Sequence, residues 1–335
     1  MNLQDTDSKR RILCIDGGGI LGTFPAAFLA ALEKHVEPPI GRYFDLIAGT
    51  STGGIIAAGL ALGLSANEIL KFYEQDGPTI FAENGSPALR WVFRCFRSTR
   101  RLAVAKYNSA PLRKALTKAL GEKKIGNADT RLILPAWNPE ARCIHVYKTS
   151  HHPRLVFDYK VSVVDAVMAT TSAPTYFQQH TSSDNVDLID GGIWANNPIA
   201  VATVEAIALL GWAPNTLNIL SLGCLDKLYT IPQNAGLMTL SCKAVELFMD
   251  GQQKGAMGMV KLLTGHGHDR EAIYRVDHTV KTGRFPLDDA SKIAQLRGIG
   301  YSRAREYLPK MKKVFLTSPA QEFAPCYHLD SETNS

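Results

Sequence analysis

The stretch Ala48-Gly49-Thr50-Ser51-Thr52-Gly53-Gly54 completes a short apolar run, Leu46-Ile47-Ala48, and leads directly into small helix-forming residues from Ile55 to Leu60. This order of an apolar run, a Gly-x-Ser-x-Gly and a helical pattern predicts a strand, a sharp turn and a helix. In such a nucleophile elbow the serine occupies a strained backbone position, and the flanking glycines avoid clashes with strand and helix. The turn also places the hydroxyl at the positive end of the new helix, where developing negative charge is stabilised. Ser51 is therefore the candidate nucleophile.

A glycine-rich loop, Asp16-Gly17-Gly18-Gly19-Ile20-Leu21-Gly22, follows the first predicted strand, which runs from Arg11 to Ile15. Backbone N–H groups of consecutive glycines can point at the oxyanion of a tetrahedral intermediate, as in an HGGG-type lipase loop. The same glycines match the dinucleotide-binding pattern G-x-G-x-x-G, but the second strand ends in the serine turn and not in the acidic residue that pattern needs. A tight turn without a ligand is the third interpretation.

A third motif, Asp190-Gly191-Gly192, follows a short strand predicted to begin at Val186. A carboxylate at a strand end beside a flexible loop is well placed to act as a general base. The alternative is an ordinary Asp-Gly hairpin turn. Asp190 is therefore the candidate base.

The composition is that of a globular protein. The chain has 335 residues, of which 45% are hydrophobic and 20% charged, with a formal net charge of +6. It contains no apolar run long enough to span a membrane, and its first residues lack the apolar core of a signal peptide. We therefore expect a cytoplasmic protein. The six cysteines have no metal-site spacing, and we expect them to be reduced, buried small hydrophobes.

We expect one domain over residues 11–315, because no clear linker divides the sequence. A polar arm over residues 1–10 precedes it, a basic insertion lies at about 85–120, and a loose tail covers 316–335.

The segment from Arg90 to Lys118 carries nine basic residues and no acidic one, with aromatic residues interleaved. This pattern suits contact with a phospholipid surface or a phosphate-bearing ligand, and the alternative is a solvated basic face. A nucleic acid polymer is not expected, because no recognised binding module surrounds the segment. The candidate contact residues are Arg90, Arg94, Arg97, Arg100 and Arg101.

The glycine loop, the serine turn and Asp190-Gly191-Gly192, in that order and each at a predicted strand end, resemble the motifs of the patatin-like phospholipase family. Ala173-Pro174-Thr175-Tyr176-Phe177 and Asn196-Asn197-Pro198 resemble stretches that flank its last motif. The resemblance covers about residues 11–225. One departure is Leu21, where many members have an arginine, so a phosphate-orienting role for that arginine does not carry over.

The resemblance implies a three-layer α/β fold with a central, mostly parallel sheet and a catalytic dyad of Ser51 and Asp190. Asp190 would take the serine proton, Ser51 would attack the acyl carbonyl of a glycerolipid, and the N–H groups of Gly17, Gly18 and Gly19 would hold the oxyanion. Water would then release the fatty acid, with no metal or other cofactor. The residues that would support the motifs are Asp16, Gly22, Gly49, Gly53, Gly191 and Gly192.

Some bacterial members of this family have a similar size and layout, and they act as antiphage effectors. A cyclic nucleotide activates them, and they then degrade the membrane of their own cell. The resemblance therefore implies a cyclic di- or trinucleotide activator, held by the long region beyond the dyad, and peripheral contact with the inner membrane. A homo-oligomer is also considered.

Three alternatives stay open at this point. His266 or His268 could complete a Ser-Asp-His triad in the chain order of α/β hydrolases. The fold could hold a ligand or partner without turnover, although the intact motifs argue against a dead scaffold. An oxidoreductase would bind NAD even when Ser51 is replaced by alanine.

Overall fold

The computed structural model describes residues 9–82, 105–228, 237–268, 270–281 and 283–329, with side chains left undescribed at 227–228 and 237–246. The described chain contains ten strands. They are β1 (Arg10–Ile15), β2 (Leu46–Gly49), β3 (Arg131–Asn138), β4 (Cys143–Lys148), β5 (His180–Thr181), β6 (Asp187–Asp190), β7 (Leu217–Leu222), β8 (Asp226–Leu228), β9 (Ile273–Val276) and β10 (Thr279–Lys281).

Eight of these strands form the central sheet, in the order β5-β6-β3-β2-β1-β7-β9, with β4 paired to β3. The five neighbouring strands β3, β2, β1, β7 and β9 run parallel, whereas β4 and β6 run antiparallel to β3. Strands β8 and β10 form a separate parallel pair. Because Ile15 pairs with Gly49, β1 and β2 end side by side, and ligand sites in parallel sheets lie at that carboxyl edge. Asp190, opposite Ala136 in the second half of β3, reaches the same edge.

Helices cover both faces of this sheet. They are α1 (Thr23–Glu33), α2 (Thr52–Ala61), α3 (Ala66–Gln75), α4 (Gly77–Ile80), α5 (Ala110–Leu120), α6 (Val163–Thr171), α7 (Gly192–Ala195), α8 (Ile199–Val204), α9 (Leu237–Thr264) and α10 (Ile293–Val314). Helix α8 continues as a π-helical turn over Glu205–Leu209.

The side chains of β1 alternate between two hydrophobic cores, as the period of a strand requires. Leu13 and Ile15 point into the larger core, with α1, α2, α3 and α10. Ile12 and Cys14 point into the smaller one, with α8 and α9. The three-layer α/β fold with a mostly parallel sheet, expected from the sequence, is confirmed. No helix in the described ranges combines the length and apolar character needed to cross a bilayer.

The expectation of a loose C-terminal tail is wrong for residues 316–329, which pack against the domain. The Ala320 N–H donates to the Arg42 carbonyl at 2.7 Å, and the Cys326 N–H donates to the Ser150 carbonyl at 2.6 Å. A polar segment can be held through its backbone, so its composition did not reveal this docking. Residues 330–335 lie outside the described chain.

The expectation about cysteines holds for some of them. Cys14 and Cys224 are buried free thiols, whereas Cys143 and Cys326 are free but exposed. Cys143 lies at the start of β4, where the side chains have little cover from neighbouring elements.

Candidate active site

Ser51 lies between β2 and α2 with φ 55° and ψ −125°, a backbone conformation that few non-glycine residues adopt. The turn is tight, because a Cβ on Gly53 would lie 2.2 Å from the Ile15 carbonyl oxygen. The Ser51 N–H donates to Thr170 Oγ1 at 3.1 Å, and the Thr50 hydroxyl donates to the Ala195 carbonyl at 2.6 Å. The strained serine is therefore held by neighbours from α6 and α7.

The glycine loop lies between β1 and α1, beside the elbow. The Gly17 N–H donates to the Asn196 carbonyl at 3.0 Å, and the Ile20 N–H donates to the Leu287 carbonyl at 2.8 Å. Gly19 has φ 57°, which favours glycine. Among the described residues, none accepts a hydrogen bond from the N–H of Gly18 or Gly19. The loop thus offers these two donors, whereas the N–H of Gly17 is already committed.

Asp190 ends β6 and is buried. Its Oδ1 accepts the Gly192 N–H at 2.7 Å. Burial raises the pKa of Asp190 to about 6, against the opposing effect of hydrogen bonds from the Ser51 side chain and the Gly192 backbone. A buried carboxylate with a raised pKa beside a serine hydroxyl is a stronger base than a solvated aspartate and is still ionised at neutral pH.

A cavity of about 490 Å³ brings the predicted residues together. Ser51, Asp190 and Gly17–Gly19 all line it, at the carboxyl edge of the sheet. Most of the remaining wall is apolar and includes Ile55, Phe72, Ile80, Leu112 and Phe177. Leu21, where many patatin-like proteins carry an arginine, is buried in this wall. The site therefore combines a serine, a carboxylate and two N–H donors with a mainly apolar cavity.

Sequence reasoning missed the charged network beneath the glycine loop. Arg275, on β9, donates to both carboxylate oxygens of Asp16, at 3.1 and 2.7 Å, and also to Asp277 at 2.7 Å and Ser221 Oγ at 2.8 Å. Burial raises the pKa of Asp16 to about 6, and the neighbouring Arg275 opposes this shift. The positive charge of Arg275 therefore compensates the charge of the buried Asp16 carboxylate, directly before the first glycine of the loop.

A second group that sequence reasoning missed holds the turn after Asp190. Gln252 of α9 accepts the Asn196 N–H at 3.2 Å, and its side-chain amide donates to the Trp194 carbonyl. In the sequence Asn196 belongs only to a flanking motif, and Gln252 lies in a helix without any motif. Helix α9 therefore supports the turn that follows the candidate base.

The remaining motif residues lie next to these groups. Gly22 precedes α1 and lies against Thr52 and Tyr73, whereas Gly191 packs on the backbone of β3 at Pro135. Gly49 packs against Gly53 within the elbow. All of them lie where main chains or buried side chains approach closely.

The profile of one protein family, described as patatin-like phospholipase, matches residues 13–203 of the chain. The chain belongs to the patatin-like phospholipase family. It is 31% identical to a "cGAMP-activated phospholipase" of Vibrio cholerae, over 93% of this chain and 96% of that protein. Proteins of the same name from Escherichia coli and Pseudomonas aeruginosa are 36% and 32% identical, over 58% and 74% of this chain and 55% and 75% of theirs.

The two histidines of the alternative triad lie away from the patatin-like cavity. His266 Nδ1 accepts the N–H groups of Ala272 and Ile273, at 3.0 and 3.1 Å, where β9 begins. Ser51 lies beyond the end of β2. Because β9 and β2 belong to the same run of parallel strands, the start of one and the end of the other lie at opposite edges of the sheet. His268 is exposed in the His266 loop, so the structure contradicts this triad.

The five candidate contact arginines, Arg90, Arg94, Arg97, Arg100 and Arg101, lie outside the described residues. The described end of the basic segment has acidic partners. Lys106 forms an ion pair with Asp288, which also accepts a 2.8 Å hydrogen bond from the Tyr107 hydroxyl. Arg113 lies 3.7 Å from Asp165. This end of the segment therefore contributes to the structure of the domain.

Proposed function

We propose that this chain is a serine acyl hydrolase of the phospholipase A type, which cleaves acyl esters of membrane glycerophospholipids. The observation that carries the proposal is the shared cavity of Ser51 and Asp190, with its apolar wall and the N–H groups of Gly18 and Gly19. The family membership and the names of the relatives support a lipid substrate.

Asp190 would act as general base. Its carboxylate accepts the proton of the Ser51 hydroxyl while Oγ attacks the carbonyl carbon of the ester. Because burial raises the pKa of Asp190 to about 6, the carboxylate is a better proton acceptor than free aspartate, yet it is mostly ionised at pH 7. An aspartate with this raised pKa can serve as the base, whereas an ordinary solvated aspartate accepts the proton less readily.

The N–H groups of Gly18 and Gly19 would stabilise the oxyanion. Negative charge develops on the carbonyl oxygen as the tetrahedral intermediate forms, and donors fixed in advance stabilise it without reorganisation. The Gly17 N–H instead holds the loop to Asn196. The three-donor oxyanion hole implied by the sequence resemblance is thus reduced to two donors in our proposal.

Collapse of the intermediate would release the lysophospholipid, whose leaving oxygen takes the proton from Asp190. Water then attacks the acyl ester on Ser51 while Asp190 again accepts the proton, and the free fatty acid leaves as Asp190 returns this proton to Ser51 Oγ. The apolar wall would hold the acyl chain throughout, and Leu21 extends this wall where an arginine would have added charge.

We further propose that a cyclic di- or trinucleotide activates the enzyme, as an effector of antiphage defence. The similarity to the Vibrio cholerae protein supports this, because it covers 93% of the chain and so extends beyond the family match, which ends at residue 203. The name of that relative indicates cGAMP as the first nucleotide to test.

The test is the release of free fatty acid from vesicles of phosphatidylethanolamine and phosphatidylglycerol, with and without cGAMP and a panel of other cyclic nucleotides. We expect release only with an activating nucleotide and none from Ser51→Ala. Release without nucleotide would support the proposed hydrolase activity and overturn the proposed activation by a nucleotide. Release from Ser51→Ala equal to the wild type would overturn the assigned nucleophile.

A further inference from the structure

One side of helix α9 exposes large apolar side chains. Phe248, Met259 and Leu262 are 71%, 57% and 79% exposed. Met259 and Leu262 follow Phe248 by about three and four helical turns, so the three side chains lie on one side of the helix. Ala256 and Val260, on another side, are buried in the smaller core. The exposed apolar side is therefore additional to the one that anchors the helix.

This apolar side is continuous with the mouth of the catalytic cavity. Phe248 lines the cavity that contains Ser51 and is also exposed. Ile193, two residues after Gly191, likewise lines the cavity and is 51% exposed. From Phe248 to Leu262 the helix extends about 21 Å at 1.5 Å per residue. We call the surface formed by Ile193, Phe248, Met259 and Leu262 the α9 face.

We propose that the α9 face lies on the surface of a lipid bilayer and positions the cavity mouth at the headgroup boundary. This inference rests on the proposed function, because a phospholipid must leave its bilayer to reach Ser51. An apolar helix side beside polar residues is the form that interfacial helices take. On the same helix, Lys261 and Lys254, the latter ion-paired with Asp250, are exposed about a third of a turn around the axis from the apolar side. These cations suit an anionic leaflet.

A second copy of the chain is the competing occupant of this surface. Gly251 and Gly255 lie between Phe248 and Met259, and small residues let two helices approach closely. No described atom lies within 4 Å of the position of a Cβ on Gly255. Gly255→Leu would therefore block close helix packing but add apolar surface for a bilayer.

The test is flotation with vesicles of phosphatidylethanolamine and phosphatidylglycerol, performed in the Ser51→Ala background so that the lipid stays intact, with and without cGAMP. Met259→Ser with Leu262→Ser should weaken vesicle partitioning about tenfold or more, because both side chains lose apolar contact. The matched control is Ile144→Ser with Phe157→Ser, whose side chains are 56% and 78% exposed outside the α9 face. The control should partition like the parent protein.

Gly255→Leu decides between the two occupants. Vesicle partitioning that is kept or strengthened supports the bilayer. Unchanged vesicle partitioning of the Met259, Leu262 variant would overturn the inference. A sedimenting oligomer that Gly255→Leu dissociates would overturn it in favour of a second copy. Hydrolysis of a short-chain soluble ester, measured with Ser51 restored, separates the two proposals. With activating nucleotide present, it should persist in the Met259, Leu262 variant, whereas its absence from the wild type under the same conditions would contradict the proposed function itself.

Discussion

The backbone N–H of Gly17 donates to the carbonyl of Asn196 at 3.0 Å. This bond joins the loop after β1 to the turn after Asp190, two parts of the chain that the sequence separates widely. The side chain of Asn196 also lies against the Cα of Gly17. The contact therefore joins the loop that carries the candidate oxyanion donors to the turn that follows the candidate base.

Replacement of Gly17 by alanine should abolish most activity without unfolding the protein. The new Cβ would lie 2.5 Å from Asn196 Oδ1 and 3.1 Å from Ser51 Cβ, so the loop and the serine must shift apart. We expect kcat to fall about 100-fold or more, the effect of a lost oxyanion contact. Gly298→Ala is the control, because its Cβ would meet open space. Activity close to that of the control would contradict the contact between loop and turn.

Replacement of Arg275 by methionine should lower both stability and activity. It leaves the buried Asp16 carboxylate without its bidentate partner, and breaking a buried ion pair from one side costs about 3–5 kcal/mol. Urea denaturation measures the free energy of unfolding, and ester hydrolysis at a temperature where the variant is folded measures the effect on the loop.

The double variant Asp16→Asn with Arg275→Met tests whether the pair acts as a unit. Because it removes the unpaired charge, it should recover a large part of the stability lost in the single variant. If the effects of the two single changes on the free energy of unfolding simply added in the double variant, Arg275 would not act through Asp16.

The sequence predicted the three motif turns, because each depends on residues close together in the chain. Ser51 follows its strand directly, and its neighbouring glycines permit the tight turn. The pairing of Asp16 with Arg275 could not be predicted in this way. It depends on β7 lying between β1 and β9, a neighbour relation fixed only when the sheet assembles.

The identity of the free oxyanion donors also could not be predicted. The three consecutive glycines look equivalent in the sequence, and only the contact with Asn196 distinguishes Gly17 from the other two. The position of His266 could not be predicted either. Its place in the chain order suits a Ser-Asp-His triad, whereas the assembled sheet places it at the edge opposite Ser51.

The activity should depend on pH through the ionisation of Asp190. Below its pKa the carboxyl group is protonated and cannot accept the serine proton, so kcat/KM should rise with pH and reach half of its plateau near the raised pKa of about 6. Hydrolysis of a soluble ester between pH 4.5 and 8 measures this, with circular dichroism as the control for folding.

A second buried acid titrates in the same range, because burial raises the pKa of Asp16 to about 6 as well. Asp16→Asn separates the two groups. The acid limb should persist in this variant, whatever the height of its plateau. A limb that disappears would assign the pH dependence to Asp16.

Replacement of both candidate histidines should leave turnover within about twofold of the wild type, since neither approaches Ser51. His266→Asn keeps an acceptor for the N–H groups at the start of β9, and His268→Ala changes an exposed side chain. Ester hydrolysis by the double variant is the measurement, with thermal unfolding as the control for stability. A collapse of kcat in a folded double variant would return a histidine to the mechanism.

Activation of Ser51 by Asp190 can be measured by labelling with a fluorophosphonate probe, because the probe reacts with an activated serine. Mass spectrometry of the digested protein, with any activating nucleotide present, identifies the labelled residue. We expect an adduct on Ser51 in the wild type and labelling at least 100-fold slower in a folded Asp190→Asn variant. An adduct on another serine, or equal labelling rates in the two proteins, would contradict this activation.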